Sequence, residues 1–304
     1  MSDQPVVVTG ANGFVGAEIC RALVEHGARV HAVVRRSGTA PALAGLVEHV
    51  GDVRDPDAMA PALAGARALV STVHPMGAAR AVQHAVGVAG TRALAQAAAA
   101  AGAARVIHIS TAAVYDRSPG VGDVEETSAL VGDDANDYAV TKRDADLALA
   151  ALSGPTRVLL RPPAILGPGP SSTWNTLRPA EMRESGEAGP VNPEATFAWV
   201  HVRDLARLAA DLATGAIPDA GDSESAGGPA AGACTALNVA APRATQRDYV
   251  ATASRALGLD PQWSDEPGWT GSLRADRARS WGWTPEVSLA EALAELVAGL
   301  DGTA

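Results

Sequence analysis

Val6-Val7-Val8-Thr9-Gly10-Ala11-Asn12-Gly13-Phe14-Val15-Gly16 is the stretch whose reading decides the fold. Three β-branched residues in succession suit a short buried strand, and Gly10, Gly13 and Gly16 follow before Ala17 to Glu25 takes up a helical pattern. That is the front end of a dinucleotide-binding βαβ unit. One glycine allows the tight turn, one lets the backbone approach a pyrophosphate, and one lets the helix pack close to the strand. The pyrophosphate then meets the helix N-terminus, where Gly16 follows Phe14 and Val15 and unpaired N–H groups and the dipole favour an anion. In a chain with 31 glycines the triplet alone also fits loop chemistry. Its place one strand from the start, followed by a helix and a second strand from Arg29 to Val34, selects the dinucleotide reading.

A length of 304 residues allows one large α/β domain, or a nucleotide-binding domain with a smaller appendage, and 47% hydrophobic residues supply a sizeable core. The net charge of -10, with a pI near 5.1, leaves no basic face to neutralise a nucleic-acid backbone. Cys20 and Cys234 are far apart and form no CxxC, so neither a disulfide framework nor a metal site is expected. Both read as small buried residues in a reducing compartment. The N-terminus has Asp3 and no basic segment, and no apolar run approaches a membrane span, so a soluble, cytoplasmic protein is expected.

Further along, the strand Val30 to Val34 ends in Arg35 and Arg36, roughly twenty residues past the glycines. A carboxylate there suits the ribose 2′-OH of NAD, whereas arginine suits a 2′-phosphate, so the pair points to NADP(H). The strand Leu46 to Val50 runs into Gly51-Asp52-Val53, which puts Asp52 and Val53 within reach of the adenine. The strand Ala68 to Val73 brings Thr72 and Val73 to the cofactor and leads to His74, a candidate for the substrate pocket. Ala79 to Gly102 is alanine-rich and predicts a helix whose small-residue surface suits close packing, also against a second subunit. The strand Arg105 to Ser110 leads into Thr111-Ala112-Ala113-Val114-Tyr115, and a polar loop to Asp137 precedes a helix opening with Tyr138-Ala139-Val140-Thr141-Lys142.

Tyr138 and Lys142 lie one turn apart on one helix face and can meet one ligand together. Lys142 is the only lysine in the chain; every other member of the Lys+Arg total of 24 is arginine. The bias that turned the other cations to arginine has spared this position, and a solvated helix lysine gives no reason for the exception.

Taken with Ser110-Thr111-Ala112-Ala113-Val114-Tyr115, Leu160-Arg161-Pro162-Pro163-Ala164-Ile165-Leu166-Gly167-Pro168, Val200-His201-Val202-Arg203-Asp204-Leu205-Ala206 and Trp281-Gly282-Trp283-Thr284-Pro285, these motifs resemble the extended short-chain dehydrogenase/reductases, the NAD(P)-dependent epimerase/dehydratase superfamily. They occur in family order and cover nearly the whole chain. The resemblance implies an α/β fold: a Rossmann-type doubly wound parallel sheet over residues 1–162, rejoined by about 198–215 and the C-terminal helix. A smaller substrate-binding cap is expected from 163–197 and about 216–304. The resemblance also implies Tyr138 as general acid or base, Lys142 as its partner and ribose clamp, and Thr111 as the hydroxyl that orients the substrate oxygen. Pro162 and Ile165 are expected at the cofactor, and a homodimer through paired helices. Gly221 to Gly232 reads as a surface loop, and Trp281 and Trp283 as packing anchors.

Free tyrosine titrates near pH ~10. A cation held at ~4 Å contributes roughly 4 kcal/mol at an effective dielectric of about 20, so the expectation is that Lys142 brings Tyr138 into use near neutrality. Three functions follow: an NADPH-dependent reductase of a carbonyl on a small, largely apolar metabolite; a nucleotide-sugar epimerase or dehydratase; and a non-catalytic NADP-binding regulator, against which the intact Thr111, Tyr138 and Lys142 argue. Where nucleotide-sugar members carry arginines for the diphosphate, this chain has Phe197 and Asp265-Glu266-Pro267-Gly268-Trp269, with Arg178, Arg183 or Arg274 as shifted alternatives. The reductase is therefore preferred, with a pocket of His74, Trp174, Phe197 and Trp199 for a small-molecule carbonyl.

Overall fold

The computed structural model describes residues 4–221 and 227–301. Asp3 and residues 222–226 of the expected surface loop lie outside them. The chain order is β1 (Val6–Thr9), α1 (Phe14–Glu25), β2 (Val30–Val34), β3 (Leu46–Val50), α2 (Pro56–Leu63), β4 (Ala68–Ser71), a long helix α3 (80–100), β5 (Arg105–Ile109), α4 (Asp137–Ala150) and β6 (Thr156–Arg161). Then come β7 (Ala164–Leu166), α5 (Arg178–Ser185), β8 (Thr196–Phe197), β9 (Trp199–His201), α6 (Val202–Thr214), β10 (Cys234–Asn238), β11 (Ala244–Thr245), α7 (Gln246–Leu257), α8 (Asp276–Ser280) and α9 (Leu289–Asp301).

Seven strands form one sheet in the order β10-β6-β5-β4-β1-β2-β3, and every pairing in it is parallel. Parallel strands joined by helices are covered on both faces, which is why they read as apolar runs without alternation. Val6 and Val8 of β1 pack toward α1 and α6, while Val7 packs toward α2 and α3, and none of the three is exposed. On α6, Leu205, Leu208 and Leu212 recur at helical spacing on the buried side. Each such side chain contributes roughly 1.5–3 kcal/mol by leaving water.

The resemblance implies that about 216–304 belongs to the smaller part, but β10 pairs with β6 from Cys234↔Arg157 to Asn238↔Arg161 and lies at the edge of the main sheet. Its CTALN run is short and preceded by glycine-rich sequence, so its burial shows only when β6 is beside it. The cap is built on two small sheets, β7 with β9 and β8 with β11, over a core that includes Phe197, Trp199, Tyr249 and Leu296. Trp281 and Trp283 are buried packing residues, and the Trp283 Nε1 donates to the Asp204 carbonyl at 3.0 Å. The long helix is interrupted by a π-helical segment, His84–Gly90, which the alanine-rich composition does not announce. Among the described residues, no helix is long and apolar enough to cross a membrane.

Candidate active site

Strand order runs one way from β1 through β2 and the other way from β4 through β5, so the connections leaving β1 and β4 diverge and open a crevice at their carboxyl ends. A cavity of about 1210 Å³ occupies it, bounded by the glycine turn, the ends of the central strands, the start of α4 and the cap. Gly10 sits at φ +67°, and a Cβ there would come 2.5 Å from Thr72 Oγ1. A Cβ on Gly16 would lie 2.1 Å from the Gly10 carbonyl oxygen, so only glycine lets α1 begin this close to the turn. The N-cap of α1 is Gly13, with no side-chain cap and no acidic residue in the first turn. Helices normally meet their first N–H groups with a Ser, Thr, Asp or Asn side chain; here those donors line the cavity along with Phe14 and Val15. The cradle fits a dinucleotide pyrophosphate.

Arg35 and Arg36 are exposed at the end of β2 and line the same cavity, and neither forms an ion pair among the described residues. Asp52 is held by Arg54 at 2.6 Å, and that hydrogen-bonded guanidinium takes its pKa down to about 2. Val53, Thr72, Val73 and Ile165 also line the cavity; Pro162 does not, and Pro163 stands there instead. The Pro162 carbonyl accepts from Ala112 N at 2.8 Å, which fixes the turn that carries Thr111.

Asn136 caps α4 by accepting from Ala139 N, so the helix begins where Tyr138 and Lys142 both point into the cavity. Tyr138 and Lys142, one turn apart on α4, line the cavity together with Thr111 from the turn after β5. The electrostatics differ from expectation. The Lys142 ammonium is buried and donates to the Ile109 carbonyl at 2.7 Å, and burial lowers its pKa to about 8 despite the Asp146 carboxylate. Burial raises the Tyr138 pKa, with the Thr111 hydroxyl pulling the other way. The phenol therefore lies above its ordinary range rather than below it, because desolvation outweighs what favours the phenolate.

His74 lines the cavity edge-on to Tyr138, with ring centroids 5.2 Å apart. Its Nε2 lies 3.0 Å from Gln83 Oε1, an acceptor only, so Nε2 carries the proton, and Thr141 Oγ1 is 3.1 Å from the same oxygen. Burial brings the His74 pKa to about 4, and burial holds His108 well below its usual value, so both are neutral near pH 7. Gly87, in the π segment, makes room for this ring: a Cβ would sit 2.6 Å from His74 Nδ1. The Gln83, Thr141 and Gly87 support was not readable in the sequence, because it depends on the register of α3 against α4.

In the cap half, Phe197 stacks on Tyr249 at 4.7 Å and meets Trp174 edge-on at 5.1 Å. Phe197 and Trp174 face the cavity; Trp199 does not, being buried in the cap core with its Nε1 donating to the Pro242 carbonyl at 3.0 Å. Residues two apart on one strand would share a face; these two diverge because Phe197 pairs with β11 and Trp199 with β7, in two separate small sheets. Asp265 and Glu266 are also outside the lining, as are Arg178, Arg183 and Arg274. The cation that the cap half does present is Arg117, which no motif singles out.

The sequence pattern of the NAD dependent epimerase/dehydratase family matches residues 6–217. Among curated proteins the chain is similar to a sterol demethylase protein B of Methylococcus capsulatus, 36% identical over 53% of this chain and 52% of that one. A ceramide reductase of Caulobacter vibrioides is 32% identical over 66% and 58%, and a 2-alkyl-3-oxoalkanoate reductase of Stenotrophomonas maltophilia 30% over 54% and 52%. The matched part thus spans about half the length of these relatives. Among solved structures, a dTDP-glucose 4,6-dehydratase from Streptomyces venezuelae with NAD bound superposes at a TM-score of 0.79, with 25% identity over 98% of this chain and 97% of that chain. A UDP-glucose 4-epimerase from Thermotoga maritima shares the fold at a TM-score of 0.76 and 19% identity, over 99% of both chains.

Proposed function

The chain belongs to the NAD dependent epimerase/dehydratase family, and from that premise we propose that it is an NADPH-dependent reductase acting on the carbonyl of a small, largely apolar metabolite. One observation carries the reading. The glycine cradle and the Thr111, Tyr138, Lys142 cluster share one cavity, whose cap half has aromatic walls, no acidic residue and a single arginine. A diphosphate entering that half would shed water from two charges with one cation to meet them. A ketone gains about 25 cal/mol for each Å² of apolar surface buried against Phe197 and Trp174. The reductase names of two relatives agree with this.

When bound, NADPH supplies the hydride, and Arg35 and Arg36 would hold its 2′-phosphate. Thr111 donates a hydrogen bond to the substrate oxygen, one that strengthens as negative charge develops there. Tyr138 gives that oxygen its proton. Its raised pKa serves this direction, because the phenol stays protonated at neutral pH and takes a proton back from solvent afterwards. Lys142 leaves a positive charge below the phenol, where His74 and His108 are neutral. The reading includes a reducing compartment such as the cytoplasm, suiting free Cys20 and Cys234, and a homodimer across α3 and α4, which light scattering would register.

A second reading, nucleotide-sugar epimerase or dehydratase, is favoured by the likeness to the dTDP-glucose 4,6-dehydratase. Competition decides between them. UDP and TDP at millimolar concentration should leave turnover of hydrophobic ketones by NADPH unchanged; competitive inhibition by either nucleotide would replace the reductase reading with the sugar-nucleotide one.

A further inference from the structure

Arg117 follows the turn that carries Thr111, in the Asp116-Arg117-Ser118-Pro119 loop, and its side chain lines the cap half of the cavity. The loop is firmly held. Two residues earlier, the Tyr115 hydroxyl donates to Asn238 Oδ1 at 2.8 Å and accepts from Arg161 at 2.8 Å, and Arg161 is paired with buried Asp146 at 2.9 Å. The guanidinium lies over the Trp269 ring, 5.7 Å from its centroid. That ring is fixed in turn by Nε1 donating to the Gly122 carbonyl at 2.9 Å, and Trp269 O accepts from Thr196 N at 2.8 Å.

Arg117 lines the cap half of the cavity without a counter-ion among the described residues. The most deeply buried arginines have acceptors: Arg105 pairs with Asp219 at 2.6 Å, Arg143 with Asp133 and Asp144, Arg161 with Asp146, and Arg157 donates to the Pro155 carbonyl. Arg117 has neither a hydrogen bond nor an ion pair among the described residues, and the neighbouring Asp116 is engaged by Ser118 N and Oγ at 2.9 and 2.6 Å. Removing a guanidinium from water without a partner is unfavourable, and its depressed pKa has burial as its cause. The aromatic ring covers one face of the planar group and leaves its in-plane N–H fork, a geometry that matches a carboxylate in bidentate fashion.

We propose that Arg117 is a substrate-binding residue and that the carbonyl substrate is a monoanion, carrying one carboxylate that seats on the Arg117 guanidinium while its apolar part lies along Trp174 and Phe197. This rests on the reductase reading and narrows its substrate to an oxo acid. Lys142 does not compete for the carboxylate, since its ammonium is committed to the Ile109 carbonyl at 2.7 Å.

The test needs no turnover. Octanoate and octanamide, matched in length and differing in charge, are titrated calorimetrically into the NADP-loaded protein and into Arg117→Gln and Arg117→Lys. Octanoate should bind wild type at least ten-fold more tightly than octanamide; Arg117→Gln should abolish the difference and Arg117→Lys retain part of it. Equal affinities in wild type, or a preference that survives in Arg117→Gln, overturn the assignment. A parallel assay with medium-chain oxo acids and NADPH separates the two claims. An octanoate preference lost in Arg117→Gln, together with no oxidation of NADPH by any oxo acid, keeps the anion site and removes the reductase reading.

Discussion

Replacing Lys142 with methionine should abolish turnover and yet stabilise the fold. The ammonium titrates at about 8 in the folded chain against an ordinary 10.5. At ~1.4 kcal/mol for each tenfold change in proton affinity, that gap means about 3 kcal/mol by which folding disfavours the charged side chain at pH 7. Methionine is of similar length and apolar, so it escapes this penalty. The Ile109 carbonyl loses its donor, which costs about 1 kcal/mol, leaving a net gain of about 2 kcal/mol, or roughly 3 °C in Tm for a chain of this size. The pH dependence identifies the cause. Because the folded pKa is depressed, the unfolded chain binds the proton more tightly, so the wild-type penalty is complete below pH 8, shrinks as pH rises and is gone above 10.5. Thermal melts followed by circular dichroism at pH 7, 9 and 10.5 should show the advantage of the variant fading over that window. A variant that melts below wild type at pH 7, or a difference that does not change with pH, would refute the account of Lys142 as a charge held at the expense of stability.

Tyr138→Phe removes only the proton donor and should lower kcat by about 10²–10⁴-fold with an unchanged melting temperature, measured by NADPH oxidation and calorimetry. The double change Arg35→Ala with Arg36→Ala should weaken NADPH about 10–100-fold and leave NADH within a few-fold, read by fluorescence titration; equal loss of both cofactors would place the arginines elsewhere than at a 2′-phosphate. Gly87→Ala puts a methyl 2.6 Å from His74 Nδ1 and should push that ring toward Tyr138, lowering kcat about 10–100-fold while the fold persists. Stopped turnover without a change in circular dichroism is the expected signature.

The glycine turn, the central strands and the Tyr138–Lys142 pair were legible because each is a local pattern: a turn that excludes Cβ atoms, apolar strand runs, two residues on one helix face. The cap was legible only in part. Phe197 and Trp199 differ by two positions in a segment broken by Ala198, and only the pairing of β8 with β11 and of β9 with β7 decides which faces the cavity. Electrostatics were the least legible. Spacing brings Lys142 to Tyr138, but the direction in which the phenol's pKa moves depends on burial, a product of tertiary packing. Arg117 lay in a polar loop like any other, and its isolation emerges only when every neighbouring acid has been matched to another partner.

The uncapped start of α1 bears on how long the protein survives in a cell. A helix whose first donors await an anion gives up the roughly 1 kcal/mol that a capping side chain provides, and it does so at the joint between the first strand and the sheet face that α1 covers. A ligand that binds only the folded chain returns stability by mass action, about 2.7 kcal/mol at a hundred times its dissociation constant. Proteases sample the opened chain in proportion to its population, so the half-life of this protein should track the supply of its dinucleotide, with cells depleted of it clearing the chain faster.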